Sequence, residues 1–163
     1  DSYKECDEII YNISAYVVSL NKSSRAACLS FSGNDGDASF TQTLGWMTGF
    51  PSRIKFTGNF FEYDKDANNA IQLINSGNSD LVIHLNSLSE KKLVLNKKNK
   101  NIVIGRPCTK FNIEPDVFIS CGIPGIDFKG HIFRTDNVVS LPLTSLRMSH
   151  SRSTQEILRE ILK

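Results

Sequence analysis

The sequence predicts an α/β fold: a mostly parallel, Rossmann-like sheet flanked by helices, closed by a C-terminal hairpin and helix. Three observations carry this expectation. Short apolar runs such as Leu81-Val82-Ile83-His84-Leu85 and Ile102-Val103-Ile104 suit strands buried on both faces. Segments with helical apolar spacing separate several of these runs. Glycine-bearing loops follow the runs, as they do where a parallel strand turns into the next element. With 163 residues, 40% hydrophobic and 22% charged, the chain fits one α/β domain over 1–163 and is too apolar for disorder.

The elements follow in order. Ser2 and Glu5 have the spacing of a capping box, and Ile9, Ile10, Ile13, Tyr16, Val17 and Leu20 continue with helical period. Residues 26–31 read as a buried strand, 32–37 as a turn-rich loop, and Phe40, Leu44 and Met47 mark one face of the next helix. Residues 53–56 read as a strand. Asp64 is placed to cap a helix carrying Ala67, Ala70, Ile71 and Ile74, which Gly77 ends. Leu81 to Leu85, Ile102 to Ile104 and Val117 to Ile119 are three further strands. Two short runs flanking Asp136-Asn137 form a hairpin, and Ser153 with Glu156 caps a last helix bearing Ile157, Leu158, Ile161 and Leu162.

Composition limits the function classes. A net charge of +2 gives no footprint for nucleic acid, and the lysines at 91, 92, 97, 98 and 100 read as a solvated turn. No apolar run reaches the ~20 residues of a membrane span, and the first residues lack the pattern of a signal peptide. A cytoplasmic protein is expected, and a chain opening on Asp1 reads as a piece of a longer polypeptide. Cys6, Cys28, Cys108 and Cys121 contain no Cys-x-x-Cys pair and no histidine at metal spacing. They read as buried thiols, with Cys108 as the loop-borne exception. No catalytic constellation and no metal site is expected within the chain.

Ligands of open parallel sheets bind beyond the carboxyl ends of the strands. That rule selects four segments. Ser32, Gly33, Asn34 and Asp35 open the loop before the second helix. Its glycines suit close approach by a ligand, while Asp35 and Asp37 disfavour a bare phosphate. Asn86 and Ser87 follow a strong strand. Arg106 and Thr109 follow another, Arg106 being a planar cationic donor suited to phosphate. Gly122, Gly125 and Asp127 lie in a glycine-dense turn, with Arg134 beyond it.

Two stretches carry a resemblance. The first runs Asn34-Asp35-Gly36-Asp37-Ala38, then Leu44-Gly45-Trp46-Met47-Thr48-Gly49-Phe50-Pro51, Lys55-Phe56 and Tyr63. The second is Cys121-Gly122-Ile123-Pro124-Gly125-Ile126-Asp127, Gly130 and Phe133-Arg134-Thr135-Asp136-Asn137-Val138. In order and spacing they resemble the C-terminal portion of the metal-holding catalytic subunit of formylmethanofuran dehydrogenase. Asp37, Phe50 and His131 depart from that family's Gly, Tyr and Thr. The resemblance implies a molybdopterin oxidoreductase of methanogenesis-type C1 metabolism, reducing carbon dioxide to formate. Its cofactors would be tungsten or molybdenum on molybdopterin guanine dinucleotide, with a [4Fe-4S] cluster held upstream. Its partners would be the remainder of that catalytic subunit, the other formylmethanofuran dehydrogenase subunits and ferredoxin-type electron carriers.

By position, 32–35 would meet the phosphates or pterin, and Asn86, Ser87, Arg106 and Thr109 the nucleotide end. Gly122, Gly125, Asp127 and Arg134 would stand near the pterin. The isolated chain is expected to be inactive. The alternative reading is a metal-free scaffold domain of a formyltransferase/hydrolase complex. A third is the central domain of a thiamine-dependent enzyme.

Overall fold

The computed structural model describes residues 2–29 and 35–163, with only the backbone of residues 2–5. Backbone contacts divide the chain into two units, Asp1–Phe31 and Ser32–Lys163.

The first unit is built on helix α1, Ser2–Leu20. The side chains of the expected Ser2/Glu5 capping box lie outside the described residues. Asn21 ends the helix without a glycine. Its amide nitrogen donates to the carbonyls of Val17 and Ala26, both at 2.8 Å, and its Oδ1 accepts from the Ala26 N–H at 3.1 Å. Both backbone groups of Ala26 are therefore taken by a side chain, which competes with strand pairing. The strand expected over 26–31 is absent from 25–29, and residues 30 and 31 lie outside the described ones. Ile9, Ile10, Ile13 and Tyr16 are exposed in this unit, as are Cys6 and Cys28.

The second unit holds the mixed α/β architecture that the sequence predicts. Its centre is a parallel sheet of three strands: β3 (Leu81–Asn86), β4 (Lys100–Gly105) and β5 (Val117–Ser120), in that spatial order. The register sets Leu85 beside Ile104 and Ile104 beside Ile119. These residues therefore share one face, because side chains alternate along a strand. On that face Ile157, from helix α4 (Thr154–Ile161), packs with Ile104 and Cys121, and Ile119 and Leu158 flank the cluster.

The C-terminal helix begins as expected. Ser153 Oγ accepts from the Glu156 N–H at 3.2 Å, and the Glu156 carboxylate accepts from the Ser153 N–H at 2.7 Å. Hydrogen bonds from Ser153, its N–H first and its hydroxyl second, hold the Glu156 carboxyl below its ordinary range.

A helix, α3 (Ala70–Ser76), precedes β3, but the connections from β3 to β4 and from β4 to β5 contain none. Instead the two connections pair with each other. Leu93 bridges Phe111, and the Asn112 amide both accepts from and donates to the backbone of Leu95, at 2.8 and 3.0 Å. The 87–99 stretch has lysines where a helix would need a continuous apolar stripe. Leu81, Ile83 and Leu85 stay exposed, so the outer strand β3 is not covered on both faces.

Local boundaries also shift. Asp64 accepts from the N–H groups of Asp66 and Ala67, which caps a separate turn. Asn69 caps α3 instead, accepting from Ile71 and Gln72, and Gly77 closes the helix in the left-handed conformation as expected. The strand expected at 53–56 is β1 (Ile54–Phe56). It pairs antiparallel with β2 (Phe61–Tyr63), a strand that the sequence pattern does not announce. Residues flanking Asp136-Asn137 form the expected hairpin, β6 (Gly130–Phe133) with β7 (Ser140–Leu143), and Asn137 adopts φ 59° at the turn. Helix α2 (Asp37–Thr48) is tied to β6 by Ser39, which accepts from the Phe133 N–H at 2.8 Å. Trp46 meets the Phe133 ring edge-on, with centroids 5.2 Å apart. The buried-thiol expectation fails at Cys6 and Cys28, which are exposed, and holds at Cys121, while Cys108 is exposed as a loop-borne thiol would be.

Candidate functional site

The three parallel strands end at Asn86, Gly105 and Ser120, and three of the four segments selected from the sequence lie at or just beyond those ends. No strand is seen over 25–29 before the fourth, which begins at Ser32. A cleft of about 460 Å³ lies between the start of α2 and the end of β3. Asp35, Gly36, Asp37 and Phe40 line it from the α2 side, and Ile83, Leu85, Asn86, Ser87, Leu88 and Ser89 from the β3 side. Glycine is required at position 36: its φ is +89°, and a Cβ would stand 3.0 Å from the Leu88 side chain. The structure thus brings Asp35, Asn86 and Ser87 to one cleft. Ser32, Gly33 and Asn34 lie outside the described residues. Two carboxylates beside serine hydroxyls and an apolar wall suit a neutral, hydroxyl-bearing molecule better than a phosphate.

Arg106 and Thr109 form an adjoining turn. The Arg106 N–H donates to the Asn86 carbonyl at 3.2 Å, and Thr109 returns two hydrogen bonds to the Arg106 carbonyl. Thr109 Oγ1 sits 2.8 Å from where a Cβ on Gly105 would be, so only glycine fits at the end of β4. The Arg106 guanidinium pairs with Glu90 at 2.9 Å. Glu90 is not among the residues that the sequence singles out; no spacing rule links a loop carboxylate to the next strand's end.

Gly122, Gly125 and Asp127 form a separate turn. Asp127 Oδ2 accepts from the Ile123 N–H at 2.8 Å, and Oδ1 accepts from Arg147 Nε at 2.6 Å. The Asp127 side chain is only 2% exposed. The Arg147 hydrogen bond first, and the Ile123 N–H second, hold its carboxyl down at about 2. A carboxylate so engaged is a structural anion rather than a base. A Cβ on Gly122 would come within 2.9 Å of the Asp127 side chain, and Gly125 has φ +80°. Arg134 is likewise engaged: its guanidinium pairs with Asp136 at 2.6 Å across the hairpin turn, which lowers the Asp136 carboxyl. His84 faces Asn101 at 3.2 Å. Among the described residues no cluster of His, Cys, Asp or Glu could hold a metal ion, and no helix is long and apolar enough to cross a membrane.

Neither a protein-family model nor a curated protein matches this sequence. A solved structure matches it in fold: the formyltransferase/hydrolase complex from Methylorubrum extorquens, crystallised with methylofuran. The superposition has a TM-score of 0.74, covers 93% of this chain and has 17% sequence identity. The chain spans 45% of the solved chain it matches.

This finding corrects the expected membership in the catalytic subunit of formylmethanofuran dehydrogenase. The matched structure is a formyltransferase/hydrolase and not a molybdopterin oxidoreductase. The dehydrogenase activity, the methanogenic carbon dioxide reduction and the pterin-binding function implied by that resemblance fall with it. The physical reason lies in the residues that carried it. Gly36 and Gly49 flank α2 in left-handed conformations, Gly125 turns the chain at φ +80°, and Trp46 packs on Phe133. These residues encode turns and packing, which report a fold and not a metal centre. In fold, the chain is similar to part of a subunit from a formyltransferase/hydrolase complex.

Proposed function

We propose that the chain is a metal-free scaffold domain of a formyltransferase/hydrolase-type complex. The observation that carries this reading is the superposition over 93% of the chain on a component of such a complex. The charged groups at the sheet edge are consistent with it. Arg106, Asp127 and Arg134 are spent on internal pairs, and such pairs hold loops in place rather than offering free charge to a reacting group.

The test is to purify the full-length protein that contains this chain from its own cells through an affinity tag. Native mass spectrometry then gives its subunits, and elemental analysis its tungsten and molybdenum. The expected result is a hetero-oligomer without stoichiometric tungsten or molybdenum, whose companion subunits carry formyl transfer. A lone polypeptide, or one holding either metal at one per chain, would overturn the proposal.

A further inference from the structure

Asn86 ends β3 as a nearly enclosed residue, 8% exposed, and lines the cleft beside α2. Its backbone is committed: it pairs with Gly105 in the sheet, and its carbonyl accepts from the Arg106 N–H. Its side chain is not. Among the described residues the Asn86 amide makes no hydrogen bond, yet neither of its polar atoms is sealed from solvent, so it opens to the cleft. The other buried asparagines of the sheet region differ. Asn69 caps α3, Asn99 donates to the Ile74 carbonyl, and Asn101 donates to the carbonyls of Asn96 and Asn99. Burying an amide without a partner is unfavourable, and a native exception calls for a missing partner.

The chemistry around the cleft defines that partner. An amide carries two N–H donors and a carbonyl acceptor, so a group that satisfies it both accepts and donates. A hydroxyl does both, whereas an ammonium only donates. Asp35 and Asp37 supply carboxylates that only accept, and Ser87 supplies a hydroxyl. None of these three side chains is hydrogen-bonded among the described residues. No lysine, arginine or histidine is among the described residues lining the cleft, so a phosphate would face two carboxylates without a compensating cation. Phe40 is 60% exposed and offers an aromatic face to the apolar C–H side of a sugar ring. The volume of about 460 Å³ is that of a small-molecule site.

We infer that this cleft binds a neutral saccharide, whose neighbouring hydroxyls bond Asp35, Asp37 and the Asn86 amide while a ring face lies against Phe40. Such a site is independent of the chain's place in a multi-subunit complex.

The experiment uses the full-length protein that contains this chain. Saturation-transfer NMR detects binding of D-glucose, D-galactose, D-ribose and maltose, and titration gives the affinities. Putrescine and inorganic phosphate are the cationic and anionic comparators. Asp35→Ala and Phe40→Ala change exposed side chains, so both variants should melt with the natural protein, while Asn86→Leu removes the unpaired amide. The expected result is that at least one of the sugars binds and that each substitution weakens it about tenfold or more. If Asn86→Leu does not fold, the two surface variants decide.

No binding by any of the four sugars would overturn the saccharide site. Sugar affinity left unchanged by Asp35→Ala and Phe40→Ala would also overturn it, since the sugar would then sit elsewhere. Binding of putrescine or phosphate alone, abolished by the same substitutions, would reassign the cleft to a charged ligand. A failed titration leaves the subunit composition, and with it the scaffold reading, untouched.

Discussion

Asp127 and Arg147, twenty positions apart, meet through an Oδ1–Nε contact of 2.6 Å that fastens the loop after β7 to the glycine turn after β5. The Asp127 carboxyl titrates at about 2, below the ordinary ~3.9 of aspartate. A lowered native value means that the ionised form stabilises the fold. That contribution is complete above pH ~4 and is lost as the pH falls from there through about 2. Asp127→Asn should therefore melt several degrees below the natural protein at pH 7, with the gap closing as both are acidified through that window. Thermal melts across the acid range check this, and a gap that does not change with pH would show that the carboxylate's charge is not what holds the loop.

The core under α4 is small, so its side chains should be costly to trim. Ile157 is 2% exposed and packs on Ile104 and Cys121, both fully buried. Ile157→Ala should cost about 2–5 kcal/mol through lost burial and the cavity left behind. Urea denaturation would measure this. A loss below about 1 kcal/mol would mean that α4 can shift inward and close the gap.

The capping box at the start of α4 gives an independent, smaller effect. Ser153→Ala removes the hydroxyl that accepts from the Glu156 N–H and should cost about 1 kcal/mol. The loss should be smaller in a Glu156→Gln background, where the reciprocal half of the box is already weakened. A double-mutant cycle by chemical denaturation tests the coupling.

Two glycines should respond in opposite directions. Gly122 has no room: an alanine Cβ there would stand 2.9 Å from Asp127 and 3.2 Å from Phe128 and Ser151, so Gly122→Ala should be destabilising. Gly45 lies within α2 with nothing within 4 Å of its Cβ position, and Gly45→Ala should stabilise by about 0.5–1 kcal/mol. Melting temperatures of the two variants decide it. Destabilisation by Gly45→Ala would mean that the open space beside that glycine is used by something outside the chain.

Much of the second unit can be read locally. The β3, β4 and β5 cores announce themselves as apolar runs, Asn137 marks its own turn, and Ser153 with Glu156 marks the start of α4. Each of these depends on neighbours within a few residues, where propensity and capping act. Candidate ligand loops can be located for the same reason, since strand ends show in the sequence even when their surroundings do not.

Local residue patterns thus specify most of the strands, several of the turns and the mixed α/β class. Only long-range packing settled the rest. It replaced Asp64 with Asn69 as the cap of α3, paired β1 with an unforeseen β2, and bridged the sheet with extended segments clamped by Asn112. It also gave Arg106 to Glu90 and Asp127 to Arg147. An ion pair or a side-chain clamp across a fold depends on which loops the sheet brings together, and residue spacing carries no record of that. The same reason explains the misleading resemblance to a dehydrogenase: glycines and aromatics that shape turns are shared by proteins with one fold, whatever chemistry each of them carries.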